Sequence, residues 1–201
     1  MKIINKNNFM IFSKDFYNYD YNKFYEFINN FFESPNNIKV KIYFLNSLNQ
    51  FNFFNPYGKF EKWKCGFMTN NIIFVFSPEI IEKLTIHKKE EIPEIIVHEL
   101  SHLFYNNLGF RNITLLNEGI ATYLIYLFKN KTLKTNQKLD LSKINIINPD
   151  IPKKTYYPVG LDIINKIISK HKKEKLFDFL KKIKSFSDHK IISTFQKEFS
   201  N

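Results

Sequence analysis

The apolar positions change rhythm along the chain, from short runs with two-residue alternation at the start to helical spacing further on. Ile3-Ile4 and Phe9-Met10-Ile11-Phe12 predict a strand or hairpin. Tyr21, Phe24, Tyr25, Ile28, Phe31 and Phe32 fall on one face of a helix over residues 21–32, with Asp20 as its cap and Pro35 as its stop. Val40 to Leu45 alternates and then turns apolar, as a half-buried strand does. Asn46 to Lys62 is polar and aromatic and carries Pro56 and Gly58, which predicts a loop with turns. Gly66 to Phe76 predicts a hairpin that ends in the run Ile72-Ile73-Phe74-Val75-Phe76.

From Ser77 onward the pattern is mostly helical. Ser77 followed by Pro78 has the form of an N-cap with proline at the first helical position. A second helix is predicted from near Pro93 to Leu108, with Gly109 placed to stop it, and a third from about Leu115 to Phe128. Lys131 to Lys154 is polar and proline-punctuated, which predicts a long loop of the kind that carries function. Three helices are expected near Pro158–Lys170, Glu174–Lys184 and Ser187–Phe199. Strands first and helices after predict an α+β fold. A single domain is expected, with an α+β lobe over residues 1–110 and a helical lobe over 111–201.

Composition narrows this little. With 44% hydrophobic and 24% charged residues the chain has ordinary globular usage, and its one cysteine, Cys65, excludes an internal disulfide framework or a thiolate-rich zinc cluster. No apolar run is long enough to cross a bilayer, and Met1 to Asn8 interrupts its apolar residues with Asn and Lys, unlike a secretory signal. A cytoplasmic protein with no membrane span is expected. The net charge of +11 invites a nucleic-acid reading, but of 30 basic residues only Arg111 is arginine, the side chain that reads phosphates and guanines bidentately. The lysines are spread among many Asn, Ile, Phe and Tyr, the composition of an AT-rich coding sequence. No nucleic-acid partner is expected.

The chemistry lies in His98-Glu99-Leu100-Ser101-His102, inside the helix that begins near Pro93. Two histidines four residues apart share a helical face, so both imidazoles can reach one zinc ion. Glu99, beside the first histidine, can take a proton from a zinc-bound water and deliver it to a leaving amine. The flanking Ile95-Ile96-Val97 and Leu103-Phe104 make this a buried helix, where two histidines and a glutamate are costly without a partner. A metal removes that cost.

A catalytic zinc needs a third protein ligand and an open position. Glu118, in Leu116-Asn117-Glu118-Gly119-Ile120-Ala121, has the right reach. From His102 to Leu108 the helix rises about 9 Å, and from Asn112 to Glu118 the chain covers about the same distance if helical. An antiparallel return therefore brings Glu118 level with His102. Thr122, one turn later, is placed to orient that ligand. Cys65 reads as a small buried hydrophobe. His87, His171 and His189 lie among lysines and polar residues and read as exposed.

The His-Glu-x-x-His motif followed by Asn117-Glu118-Gly119-Ile120-Ala121 resembles the gluzincin metallopeptidases, above all the catalytic domain of aminopeptidase-N-like enzymes and the smaller peptidases of that superfamily. The resemblance implies a zincin-like, two-lobed domain with the active-site helix between the lobes. It implies one zinc per chain, held by His98, His102 and Glu118, with Glu99 activating water. The gap to Glu118 is a few residues shorter than is usual there.

Two weaker matches extend the likeness. Tyr157-Pro158-Val159-Gly160 is similar to the family's Tyr-x-x-Gly, whose tyrosine donates to the tetrahedral oxyanion. That implies Tyr157 as a catalytic residue, with Tyr156 its competitor. Gly66-Phe67-Met68-Thr69-Asn70 resembles the Gly-Ala-Met-Glu-Asn strand that lines the aminopeptidase cleft and implies substrate binding by Gly66, Phe67, Met68, Thr69 and Asn70. The family's glutamate for a free amine is Thr69 here, so exopeptidase and endopeptidase action both stay open. The expectation is zinc-dependent hydrolysis of peptide or protein substrates. A zinc-stabilised binding module of the same fold without turnover is the alternative. A basic nucleic-acid-binding domain with an incidental motif is a third reading, which stoichiometric zinc would remove.

Overall fold

The structure, a computed structural model, describes residues 1–35, 37–56, 58–134, 138–152 and 155–200. Parts of the loops read over Asn46–Lys62 and Lys131–Lys154 lie outside the described residues, at 57, 135–137 and 153–154. The chain divides into two compact units, Met1–Phe104 and Tyr105–Asn201. The class is α+β, with a five-stranded mixed sheet in the first unit.

That sheet contains β1 (Lys2–Lys6), β2 (Phe9–Ser13), β3 (Val40–Leu45), β4 (Gly66–Thr69) and β5 (Ile72–Phe76), in the order β1-β2-β3-β5-β4. β1 and β2 form an antiparallel hairpin, β3 runs parallel to both β2 and β5, and β4 returns antiparallel along β5. Ile11, Ile42 and Ile73 are register partners across the three central strands, and none is more than 1% exposed. This is the core face.

Helix α1 (Tyr21–Phe32) spans the parallel crossover from β2 to β3. Asp20 caps it by accepting the Lys23 N–H, and Tyr21 and Tyr25 put their rings 5.5 and 6.1 Å from that of Phe9 on β2. The helix stops before Pro35. Glu33 adopts φ 49° and donates its N–H to the Asn29 carbonyl, so a left-handed residue closes the last turn.

Two sequence expectations need correction in this region. Residues 46–62 are not only loop, because α2 (Leu48–Phe54) lies within them. Ser47 accepts the Gln50 N–H, and the Gln50 side chain accepts the Asn46 N–H, a reciprocal arrangement that starts the helix. Conversely, Ser77 caps no helix. Its carbonyl accepts the Ile80 and Ile81 N–H groups in a turn that leads to the short α3 (Ile81–Leu84), whose N-cap is Ile80, while its own N–H extends the β3–β5 ladder to the Leu45 carbonyl. A 3-10 turn at Lys89–Glu91 then leads into α4 (Ile92–Asn107).

α4 begins and ends where proline and glycine place it, with Gly109 at φ 63°. Ile92, Ile96, Val97, Leu100, Leu103 and Phe104 are fully buried. The Phe104 ring lies 5.4 Å from Tyr25 and 6.0 Å from Phe32 of α1.

The second unit is helical: α5 (Thr114–Phe128), α6 (Tyr156–Lys182) and α7 (Asp188–Phe199). The two helices expected over 158–184 are joined through Lys172, which adopts φ 67° and ψ 164°. α5 and α6 cross in backbone contact at Gly119 and Gly160. Phe179, Phe195 and Phe199 form a ring cluster with centroids 5.2–5.7 Å apart. Arg111 donates to the Phe186 carbonyl and to Asp188. Among the described residues no helix is long and apolar enough to cross a membrane.

Candidate metal centre

α4 sets His98 and His102 one turn apart, and their Nε2 atoms come within 3.1 Å of each other. The rings stand edge to face, with centroids 4.7 Å apart and planes at 89°. Two nitrogens bound to one tetrahedral zinc are about 3.3 Å apart, given Zn–N bonds near 2.0–2.1 Å. The imidazoles are thus already at the separation one cation requires. Glu118, the third ligand the sequence suggests, belongs to the second unit. Imidazoles at this separation suit a borderline-soft divalent ion, and a carboxylate is a third donor of the kind zinc takes, so the donor types fit zinc.

Glu99 follows His98 and is 7% exposed. Its surroundings place it against the start of β4. A methyl added at Gly66 would lie 3.5 Å from Glu99 Oε1, 3.0 Å from Ile95 Cγ2 and 2.9 Å from the Phe74 carbonyl oxygen. The glycine lets the strand approach the carboxylate. Cys65, just before it, is half-buried; burial and the nearby Glu99 and Glu91 carboxylates push its thiol well above the ordinary range.

β4 is an edge strand of the sheet. The Cys65 carbonyl accepts the Phe76 N–H, and β4 pairs Phe67 with Phe74 and Thr69 with Ile72. By antiparallel alternation, Gly66 and Met68 direct their backbone N–H and C=O groups away from β5. Asn70 is not part of the strand. It forms the hairpin turn with Asn71, at φ 49° and 59°, the left-handed pair of a type I′ turn.

In the second unit, Glu118 lies in the second turn of α5, and Gly119 follows it against Gly160. Tyr156 and Tyr157 open α6, one turn before Gly160. The two motif glycines therefore serve one purpose: they let the segments bearing Glu118 and Tyr157 cross closely. Thr122 donates to the Glu118 backbone carbonyl at 2.8 Å, a bond within the helix and not one to the carboxylate.

No protein-family model matches the chain, and no curated protein matches it. The site stands on its own geometry.

The remaining histidines are less uniform than the sequence suggested. His189 is exposed, but His171 packs its ring 5.6 Å from Phe199, and His87 is held at both ring nitrogens. The spacing of His87 and Glu91, four residues apart, was the signal for that contact.

Proposed function

We propose that this chain is a zinc-dependent peptidase with a zincin-like fold of the gluzincin kind. The observation that carries the proposal is the pairing of His98 and His102 on one helix, with their Nε2 atoms 3.1 Å apart and Glu99 between them in the chain. His98, His102 and Glu118 hold the metal. When bound, zinc supplies a Lewis acid for the scissile carbonyl and lowers the pKa of the attacking water.

The chain's own groups do the rest. Glu99, nearly buried beside His98, takes a proton from the attacking water and passes it to the departing amine. Tyr157 donates a hydrogen bond to the oxyanion. An extended peptide pairs with the outward backbone groups of Gly66 and Met68, next to the Glu99 carboxylate. The reaction is hydrolysis: water adds across the peptide bond, leaving a carboxylate and an amine.

Purified protein and the Glu99→Gln variant, each assayed for zinc and for cleavage of a diverse peptide library, test this reading. Stoichiometric zinc in both, with at least a hundredfold loss of cleavage in the variant, is expected. Equal cleavage by the two proteins would remove the mechanism, and zinc-loaded wild type inert on every peptide would leave a binding module.

A further inference from the structure

His87 bridges two parts of the first unit. Its Nδ1 lies 3.0 Å from Glu91 Oε2, and its Nε2 lies 3.0 Å from the carbonyl oxygen of Trp63. Both neighbours are acceptors without a proton to give. A neutral imidazole carries one N–H, so it can satisfy one of them and must turn a lone pair on the other. The imidazolium donates to both.

What the ring joins gives the contact its meaning. Glu91 closes the turn that leads into α4, and the same Oε2 accepts the Lys88 N–H at 2.9 Å. Trp63 stands three residues before Gly66, where β4 begins beside Glu99. A second bond runs alongside, from the Ile86 N–H to the Lys62 carbonyl at 2.9 Å. The His87 backbone is itself fixed, its N–H donating to Thr85 Oγ1 at 3.0 Å. The other charged groups at this place are Glu61, which accepts from the Trp63 indole, and Lys64, whose amine lies 5.2 Å from that ring.

We infer that His87 is a positioning residue that clasps the entrance of β4 to the start of the His98–His102 helix through its two ring nitrogens. Loss of either contact opens one side of the clasp and loosens the edge strand. The inference deepens the proposed function by naming what holds the peptide-pairing strand, and rests on that reading only for the strand's role.

Hydrogen–deuterium exchange on the whole chain tests it without turnover. The reporters are the Phe67 and Thr69 amides, paired with β5, with intrinsic rates divided out. In His87→Gln their protection should fall by about tenfold relative to wild type, the scale of one hydrogen bond to a charged group, while Ile42 and Ile73 at the sheet centre stay protected. Glu91→Gln, which keeps an acceptor but removes its charge, should show a smaller fall and carries the test if the first variant does not fold. Wild-type protection of Phe67 and Thr69 in His87→Gln, or parallel loss at Ile42 and Ile73, would overturn the clasp. A clasped protein that cleaves no peptide would instead sink the peptidase reading alone.

Discussion

Gly119 and Gly160 meet backbone to backbone. A methyl group added at Gly119 would lie 2.5 Å from the Gly160 carbonyl oxygen, and one at Gly160 would lie 2.6 Å from that of Leu115. No flexible side-chain end is there to move aside. Gly119→Ala should therefore destabilise the protein by about 1–3 kcal/mol through overpacking. Alanine's helical advantage of about 1 kcal/mol works against that loss but does not cancel it. A lower urea midpoint with an unchanged slope is the expected record. A midpoint at or above wild type would mean the crossing has slack.

The close approach of β4 to Glu99 makes Gly66 the next position to change. Gly66→Ala sets a methyl against the Phe74 carbonyl and Ile95, and the strand must shift to make room. Zinc content should be unchanged and peptide cleavage should fall at least tenfold, since a displacement near 1 Å misaligns the pairing edge. Cleavage at the wild-type rate would detach the strand from the reaction.

Zinc binding should couple to stability through the ligands. Added zinc should raise the thermal midpoint of wild type, because a ligand that binds only the folded state stabilises it by mass action. Glu118→Gln and His102→Ala should lose most of that rise. Thr122→Val should keep it, since Thr122 bonds the Glu118 backbone and not its carboxylate. An undiminished rise in Glu118→Gln would place the third ligand elsewhere.

Glu198 gives the second unit an acid-sensitive element. Burial alone would raise its carboxyl, but the hydrogen bonds from Lys182 at 2.7 Å and Lys175 at 3.2 Å outweigh that and hold it below the ordinary glutamate value. A carboxyl depressed on folding contributes stability above its unfolded pKa and loses it as pH falls through the lower folded one. Glu198→Gln should flatten the acid limb of the stability curve and leave the neutral-to-alkaline limb parallel to wild type. Denaturant midpoints across that range would show an unchanged acid limb if the two lysines do not matter.

Lys172 occupies φ 67° and ψ 164°, a region that glycine enters freely and lysine does not. Lys172→Gly should raise stability by about 1 kcal/mol, the relief of strain exceeding the entropy that glycine adds to the unfolded chain. Chemical denaturation reads the sign directly.

The elements legible in the sequence are those fixed by local chemistry. Asp20 announces α1, Pro93 and Gly109 bound α4, and the paired Asn70-Asn71 turns the β4–β5 hairpin. The spacing of His98 and His102 brings the two imidazoles together because a helix converts sequence distance into a fixed separation. What escaped depends on non-local partners. Ser77 and Pro78 look like a helix start, but the sheet pairing reaches Ser77 through the Leu45 carbonyl and only a turn follows before α3 begins at Ile81. α2 hides among aromatics without helical period, although Ser47 and Gln50 spell its cap. The parallel β2-β3-β5 arrangement and the Gly119–Gly160 crossing join distant segments, which no local pattern specifies.

Trp63, whose carbonyl His87 grips, is the only tryptophan in the chain. Its indole donates to Glu61, and the Lys64 amine lies 5.2 Å from the ring centroid. The protein thus carries a single indole, the one fluorophore excited apart from its tyrosines, seated at the threshold of the strand proposed to hold substrate. Its emission under selective excitation comes from that single place, so a shift in wavelength or lifetime reports on the threshold without any label.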